Sequence, residues 1–99
     1  MTTHLSIVVP VYRSAGTLDE LHRRLVAALE TSEPSVEIIM VDDCGGDDSW
    51  QVIQRLAQRD SRVRGFQLAR NYGQHNALLC GIRAARGSVI VTLDDDLQN

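Results

Sequence analysis

Three stretches of the chain are apolar at nearly every position, a fourth is shorter and mixed, and three stretches between them are apolar only at helical spacing. Residues 5–12 (LSIVVPVY) predict a first strand, with Pro10 near its end because proline cannot donate to a sheet ladder. Residues 13–16 read as a loop. Thr17 then opens a helix, with Glu20 placed for a capping box and Leu18, Leu21, Leu25, Ala28 and Leu29 on one stripe. Glu33-Pro34-Ser35 breaks that pattern. Residues 36–42 (VEIIMVD) predict a second strand, followed by a turn through Cys44-Gly45-Gly46. Asp47, Asp48 or Ser49 can cap the next helix, Gln51 suits a return from Asp48, and Trp50, Ile53, Leu56 and Ala57 mark its buried side. A third, shorter strand is expected over 63–69. A polar loop leads into a helix from about 74 to 86, with Ala77, Leu78, Gly81, Ile82 and Ala85 on one face and Gly87 suited to its end. Gly81 and the alanines suggest close approach to a sheet.

The last stretch, Val89 to Leu93, reads as a buried strand that stops on three consecutive carboxylates, Asp94-Asp95-Asp96. Strand and helix thus alternate as β-α-β-α-β-α-β, which predicts a parallel α/β sheet with right-handed crossovers and a Rossmann-like strand order 3-2-1-4. In that order the segments Pro10-Val11-Tyr12, Asp42-Asp43 and Asp94-Asp95-Asp96 share one edge, beside the crevice where the strand order reverses. Adjacent carboxylates repel unless a cation neutralises them. Either they hold a hard divalent metal, Mg2+ or Mn2+, shared with a phosphate, or they form a solvated acidic turn.

Composition narrows the field. The 99 residues suffice for one domain, and 43% hydrophobic with 23% charged is ordinary for a globular chain. A net charge of −3, with the arginines spread out, argues against a nucleic-acid partner. Cys44 and Cys80 fit no zinc spacing. There is no signal peptide and no apolar run of bilayer length, so a cytoplasmic setting is expected. Neither G-x-G-x-x-G nor a Walker lysine motif is present, which disfavours a dinucleotide oxidoreductase and a P-loop ATPase. A receiver-like domain is disfavoured too, since the first strand ends in Pro-Val-Tyr and the chain has no lysine. His4, His22 and His75 read as solvated side chains and Trp50 as core. Arg70 is either a phosphate partner or an ion-pair partner of Asp42 or Asp43.

Ser6 to Tyr12, Val41-Asp42-Asp43 and Leu93 to Gln98 together resemble family 2 glycosyltransferases of the GT-A fold. The stretch from Leu68 to Ala77 (LARNYGQHNA) is similar to the bacterial polyprenyl-phosphate glycosyltransferases and to dolichol-phosphate mannose synthase. The resemblance covers essentially the whole chain. It implies that residues 1–99 form the N-terminal nucleotide-sugar-binding half of such a domain, with the acceptor part and the catalytic base expected beyond Asn99. Pro10 and Tyr12 would line the nucleotide pocket, and Asp43 would contact the nucleobase with Val41 beside it. Asp94 and Asp96 would be the outer aspartates of a D-x-D motif binding metal and diphosphate. Asp95 takes the middle place and Gln98 matches a glutamine just beyond, both counted with the nucleotide-binding residues. The implied cofactor is Mg2+ or Mn2+, and the implied partners are a nucleotide-diphospho-sugar donor and a polyprenyl phosphate acceptor, with association at the inner membrane face. Where relatives often carry Asn-Glu after the tyrosine, this chain has Arg13-Ser14, and Cys44-Gly45-Gly46 replaces a Gly-Ser or Cys-Ser turn; both bear on base selectivity. By itself this stretch is expected to bind donor without completing transfer, and to self-associate through the open edge of its fourth strand. The reading from another class is a non-catalytic nucleotide-binding or assembly module.

Overall fold

A computed structural model describes residues 3–29 and 35–95. Its elements are β1 (Leu5–Val11), α1 (Leu18–Leu29), β2 (Val36–Asp42), α2 (Ser49–Arg59), β3 (Val63–Gln67), α3 (Gln74–Ala84) and β4 (Val89–Thr92). The four strands form one parallel sheet in the order β3-β2-β1-β4. This is the Rossmann-like α/β arrangement expected from the alternation.

Strands β1 and β2 are apolar at most positions because both of their faces are covered. Alternate residues Ile7, Val9 and Val11 of β1, with Val36, Ile38 and Met40 of β2, face Leu18 and Leu21 of α1 and Val52, Ile53 and Leu56 of α2. The intervening Val8, Ile39 and Val41 pack with Ala77 of α3 on the other face. Gly81 is what lets α3 approach: a Cβ there would stand 2.4 Å from Val8 Cγ1 and 3.3 Å from Val41 Cγ2. Pro10 is tolerated in the central strand because the ladder to β4 runs only from Leu5↔Val89 to Val8↔Thr92, short of it.

At the amino-terminal end of the sheet, buried Glu37 accepts from the Ser6 hydroxyl (2.6 Å), the Arg64 guanidinium (2.7 Å) and the Arg86 amide (2.6 Å). Burial alone would raise its pKa, but these donors outweigh burial and lower it. Gly87 belongs to this corner rather than to a helix C-terminus: α3 ends at Ala84, and a Cβ on Gly87 would meet Ser6 Oγ at 2.7 Å.

Several local expectations are corrected. β4 is not buried: Val89, Ile90 and Val91 are 40–47% exposed, because among the described residues β4 is the edge strand and pairs only with β1. Apolar periodicity cannot distinguish such an edge from a covered strand. Thr17 and Glu20 form no capping box; Glu20 instead binds Arg23 and Arg24. Asp48 is the N-cap of α2 but its side chain makes no cap bond. Asp47 takes that role, accepting the Ser49 amide at 3.0 Å. Ala28 is exposed, and β3 stops at Gln67. His22 is not a solvated group, since its Nε2 lies 2.9 Å from Asp60 Oδ2.

Candidate functional site

The carboxyl ends of β1, β2 and β4 each give way to a loop carrying polar groups, and the sheet order makes those loops neighbours. After β2 the chain turns sharply, with Cys44 at φ 57° and Gly46 at φ 86°. The turn leaves Asp42 and Asp43 at the end of the sheet, both nearly inaccessible (3% and 2% exposed). Asp42 Oδ2 accepts from the Gln67 side chain (3.1 Å), while its buried Oδ1 has no partner among the described residues. Burial, with the negative charge of Asp47 and Asp43, raises the Asp42 pKa above the usual carboxylate range.

Asp43 is held through both its backbone amide and its carboxylate. Its amide donates to the Val11 carbonyl (2.8 Å), fixing it beside β1. Its Oδ1 accepts the Tyr72 amide (2.9 Å) and its Oδ2 the Gly73 amide (3.0 Å), so the loop before α3 hangs on this carboxylate. The loop after β1 touches the loop after β2: Arg13 Nε donates to the Gly45 carbonyl (2.9 Å), and a Cβ on Gly45 would meet Arg13 Cγ at 2.8 Å. Asp95, after β4, binds the same β1 loop through the Tyr12 amide, the Ser14 hydroxyl and the Thr17 hydroxyl.

These ties enclose two small crevices. Pro10, Val11, Tyr12, Asp43, Gln74 and Asp95 line one of about 40 Å³, and Tyr12, Asp43, Asn71, Gly73 and Gln74 line its 230 Å³ neighbour. Tyr12 and Tyr72 are exposed, each with a guanidinium over its ring: Arg13 at 5.4 Å and Arg70 at 5.2 Å. Arg70 therefore pairs with neither Asp42 nor Asp43; its Nε donates to the Tyr72 hydroxyl. A larger furrow of 660 Å³ lies between α1 and α2, but its Arg55 is paired with Asp19 and its Arg23 with Glu20. Its charges are largely neutralised at the surface, and none of the acids from the strand ends reaches it.

Of the residues singled out from sequence, Pro10, Tyr12, Asp43 and Asp95 line one crevice. Val41 is completely buried behind it, in the core under α3. Asp94 is exposed at the end of β4. Asp96 and Gln98 lie outside the described residues, and among those described no three His, Cys, Asp or Glu side chains converge as a metal site. The donors that are described, carboxylate oxygens at an exposed strand end, suit a hard oxygen-binding cation. Sequence reasoning missed Gln74, Gly73 and Asn71 as lining and Ser14 and Thr17 as partners of Asp95. The polar stretch 70–76 and the short hydroxyl side chains after Tyr12 were the available signals.

Residues 6–99 match the model of glycosyl transferase family 2. The chain belongs to this family. It is 48% identical over 96 residues to the undecaprenyl-phosphate 4-deoxy-4-formamido-L-arabinose transferase of Pseudomonas syringae, covering 96% of this chain and 28% of that protein. The enzyme of the same name from Shewanella sediminis is 45% identical over 96 residues, with 96% and 29% covered. The chain thus spans less than a third of these relatives' length. Among solved structures, S. aureus TarS residues 1–349 in complex with UDP superposes with a TM-score of 0.82 at 25% identity, over 95% of this chain and 28% of that one. The Pyrobaculum calidifontis mannosyltransferase PcManGT, solved with GDP-Man and Mn2+, shares the fold at a TM-score of 0.79 and 23% identity, over 97% and 28%. The family 2 member has the GT-A-like architecture of these glycosyltransferases.

Proposed function

We propose that this chain forms the donor site of a glycosyltransferase that moves a sugar from a nucleotide-diphospho-sugar to an acceptor. The carrying observation is that Asp43 and Asp95, 52 residues apart, line one crevice with Tyr12 and Pro10. Asp43 offers its remaining lone pairs to N–H groups of a base, and the Tyr12 ring gives that base an apolar face. Val41 backs this wall from the core. Asp94, together with Asp96, would hold Mg2+ or Mn2+, which supplies positive charge to the departing diphosphate. Asp95 belongs to the same rim, and Gln98 would add a further contact to the nucleotide. In the transfer the bond between the anomeric carbon and the diphosphate breaks as the acceptor oxygen bonds to that carbon; the nucleoside diphosphate leaves with the electron pair. Any proton on the acceptor oxygen passes to a general base.

The relatives' names support a polyprenyl phosphate, and specifically undecaprenyl phosphate, as the acceptor. Such an acceptor is a lipid, which supports action at the cytoplasmic face of a membrane. Among the described residues no helix is long and apolar enough to cross a bilayer. The exposed β4 edge supports self-association of this chain; a monomer at every concentration in sedimentation velocity contradicts that.

Calorimetric titration with UDP and with GDP, each with and without Mn2+, tests the donor site. Expected is binding of one nucleotide that strengthens with Mn2+ and loses this dependence in Asp94→Asn. Binding that ignores both the metal and the substitution fits a non-catalytic nucleotide module instead.

A further inference from the structure

The acidic turn after β4 is fastened rather than free. Asp95 Oδ2 accepts the Tyr12 amide at 2.8 Å and the Ser14 hydroxyl, and the Asp95 carbonyl accepts the Thr17 hydroxyl at 2.8 Å. The Ser14 proton also faces the Tyr12 carbonyl (3.0 Å), but a charged carboxylate is the stronger acceptor. Ser14 is itself anchored, its amide donating to the fully buried Ser49 hydroxyl at 2.9 Å. These bonds join residues 78–83 positions apart, so they carry the β4 turn on a support that runs through the β1 loop to α2.

We propose that Asp95 is a positioning residue, a latch that sets the acidic turn against the β1 loop so that Asp94 and the Tyr12 ring face one bound nucleotide diphosphate in fixed register. This rests on the donor-site reading above. Tyr12 supplies both the latched amide and the ring that lines the crevice, so one hydrogen bond couples the two halves of the site. Without the latch, the neighbouring carboxylates repel and the turn has several arrangements, all but one of which must be abandoned on binding. Ser14 is buried and lines neither crevice, so it can affect a ligand only through Asp95 and the loop.

The test compares the whole chain with Ser14→Ala, Asp95→Ala and the double variant. Hydrogen exchange at the Tyr12 amide is measured without ligand, and UDP and GDP titrations are run with Mn2+. Expected is Tyr12 exchange accelerated about tenfold or more in each variant. Nucleotide binding is expected to weaken by about tenfold in each single variant and by no more in the double, because both remove one latch. Faster exchange with undiminished binding reduces the latch to architecture and overturns the positioning role. Weaker binding in Asp95→Ala with none in Ser14→Ala makes Asp95 a direct ligand contact and overturns it too. Rapid Tyr12 exchange in the parent chain overturns the latch itself. A parent chain that binds neither nucleotide overturns the donor-site reading and the positioning role together, while its slow Tyr12 exchange would still show the latch.

Discussion

Gly73 donates its amide to Asp43 Oδ2 at 3.0 Å, tying the start of α3 to the end of β2. Gly73 has φ 99°, a conformation that side chains disfavour, and the Tyr72 amide reaches the other oxygen of the same carboxylate. Asp43 is therefore both the floor of the crevice and the anchor of its wall. Asp43→Ala removes an acceptor from two amides at once. Expected are faster exchange at Tyr72 and Gly73 and nucleotide binding weakened by about 10- to 100-fold, in keeping with the loss of charge-assisted hydrogen bonds. Unchanged exchange and affinity contradict the double role.

Asp60 shows the opposite balance from Asp42. Burial pushes its pKa up, but hydrogen bonds from Arg62 and His22 overcome that and hold it well below the usual range. A depressed native pKa stabilises the fold above the unfolded value and loses that contribution as pH falls. Asp60→Asn is expected to cost about 1–2 kcal/mol at neutral pH, with the gap to the parent closing as pH drops below about 4. Urea denaturation at several pH values reads this directly; a gap independent of pH contradicts it.

At Asp42 the sign reverses. Its raised native pKa means the charged form is disfavoured by folding, chiefly through burial. The cost is present at neutral pH, shrinks as pH falls through the raised native value, and is gone below the unfolded value of about 4. Asp42→Asn, which removes the charge beside Asp43 and Asp47, is expected to raise the melting temperature at pH 7 and to bring no advantage near pH 3. Destabilisation at pH 7 contradicts it.

Gly81 sits in the interior of α3, where alanine would gain about 1 kcal/mol in helix propensity. Its added Cβ would overlap Val8 Cγ1, a stiff, fully buried β-branched side chain, and overpacking of this kind costs about 1–3 kcal/mol. Packing is expected to prevail, so Gly81→Ala lowers the urea midpoint. A raised midpoint would show that α3 can move away from the sheet at little cost.

The layered architecture was legible because β1 and β2 need apolar residues on both faces, and only a covered parallel sheet satisfies Ile7 to Val9 and Ile38 to Val41 together. Gly81 was legible for the same reason. The rim was legible in its acids, since strand order alone makes the ends of β1, β2 and β4 neighbours. What the text of the chain did not show was which small polar groups those acids hold. The side chain of Asp47, not that of Asp48 at the N-cap position, binds the first amide of α2, and Ser14 rather than any charged residue receives Asp95. Both outcomes depend on backbone turns that no periodicity encodes. The open edge of β4 was expected, but the exposure of its side chains was hidden because Val89 to Val91 are as apolar as a covered strand.

The loops after β1, β2 and β4 are proposed to make one nucleotide-diphosphate site. Backbone amide shifts recorded while UDP or GDP is added with Mg2+ test it most directly. Expected are changes concentrated at Tyr12, Asp43, Gly73, Asp94 and Asp95. Changes confined to the furrow of Arg23, Arg55 and Arg59 between α1 and α2, or none at saturating nucleotide, would contradict it.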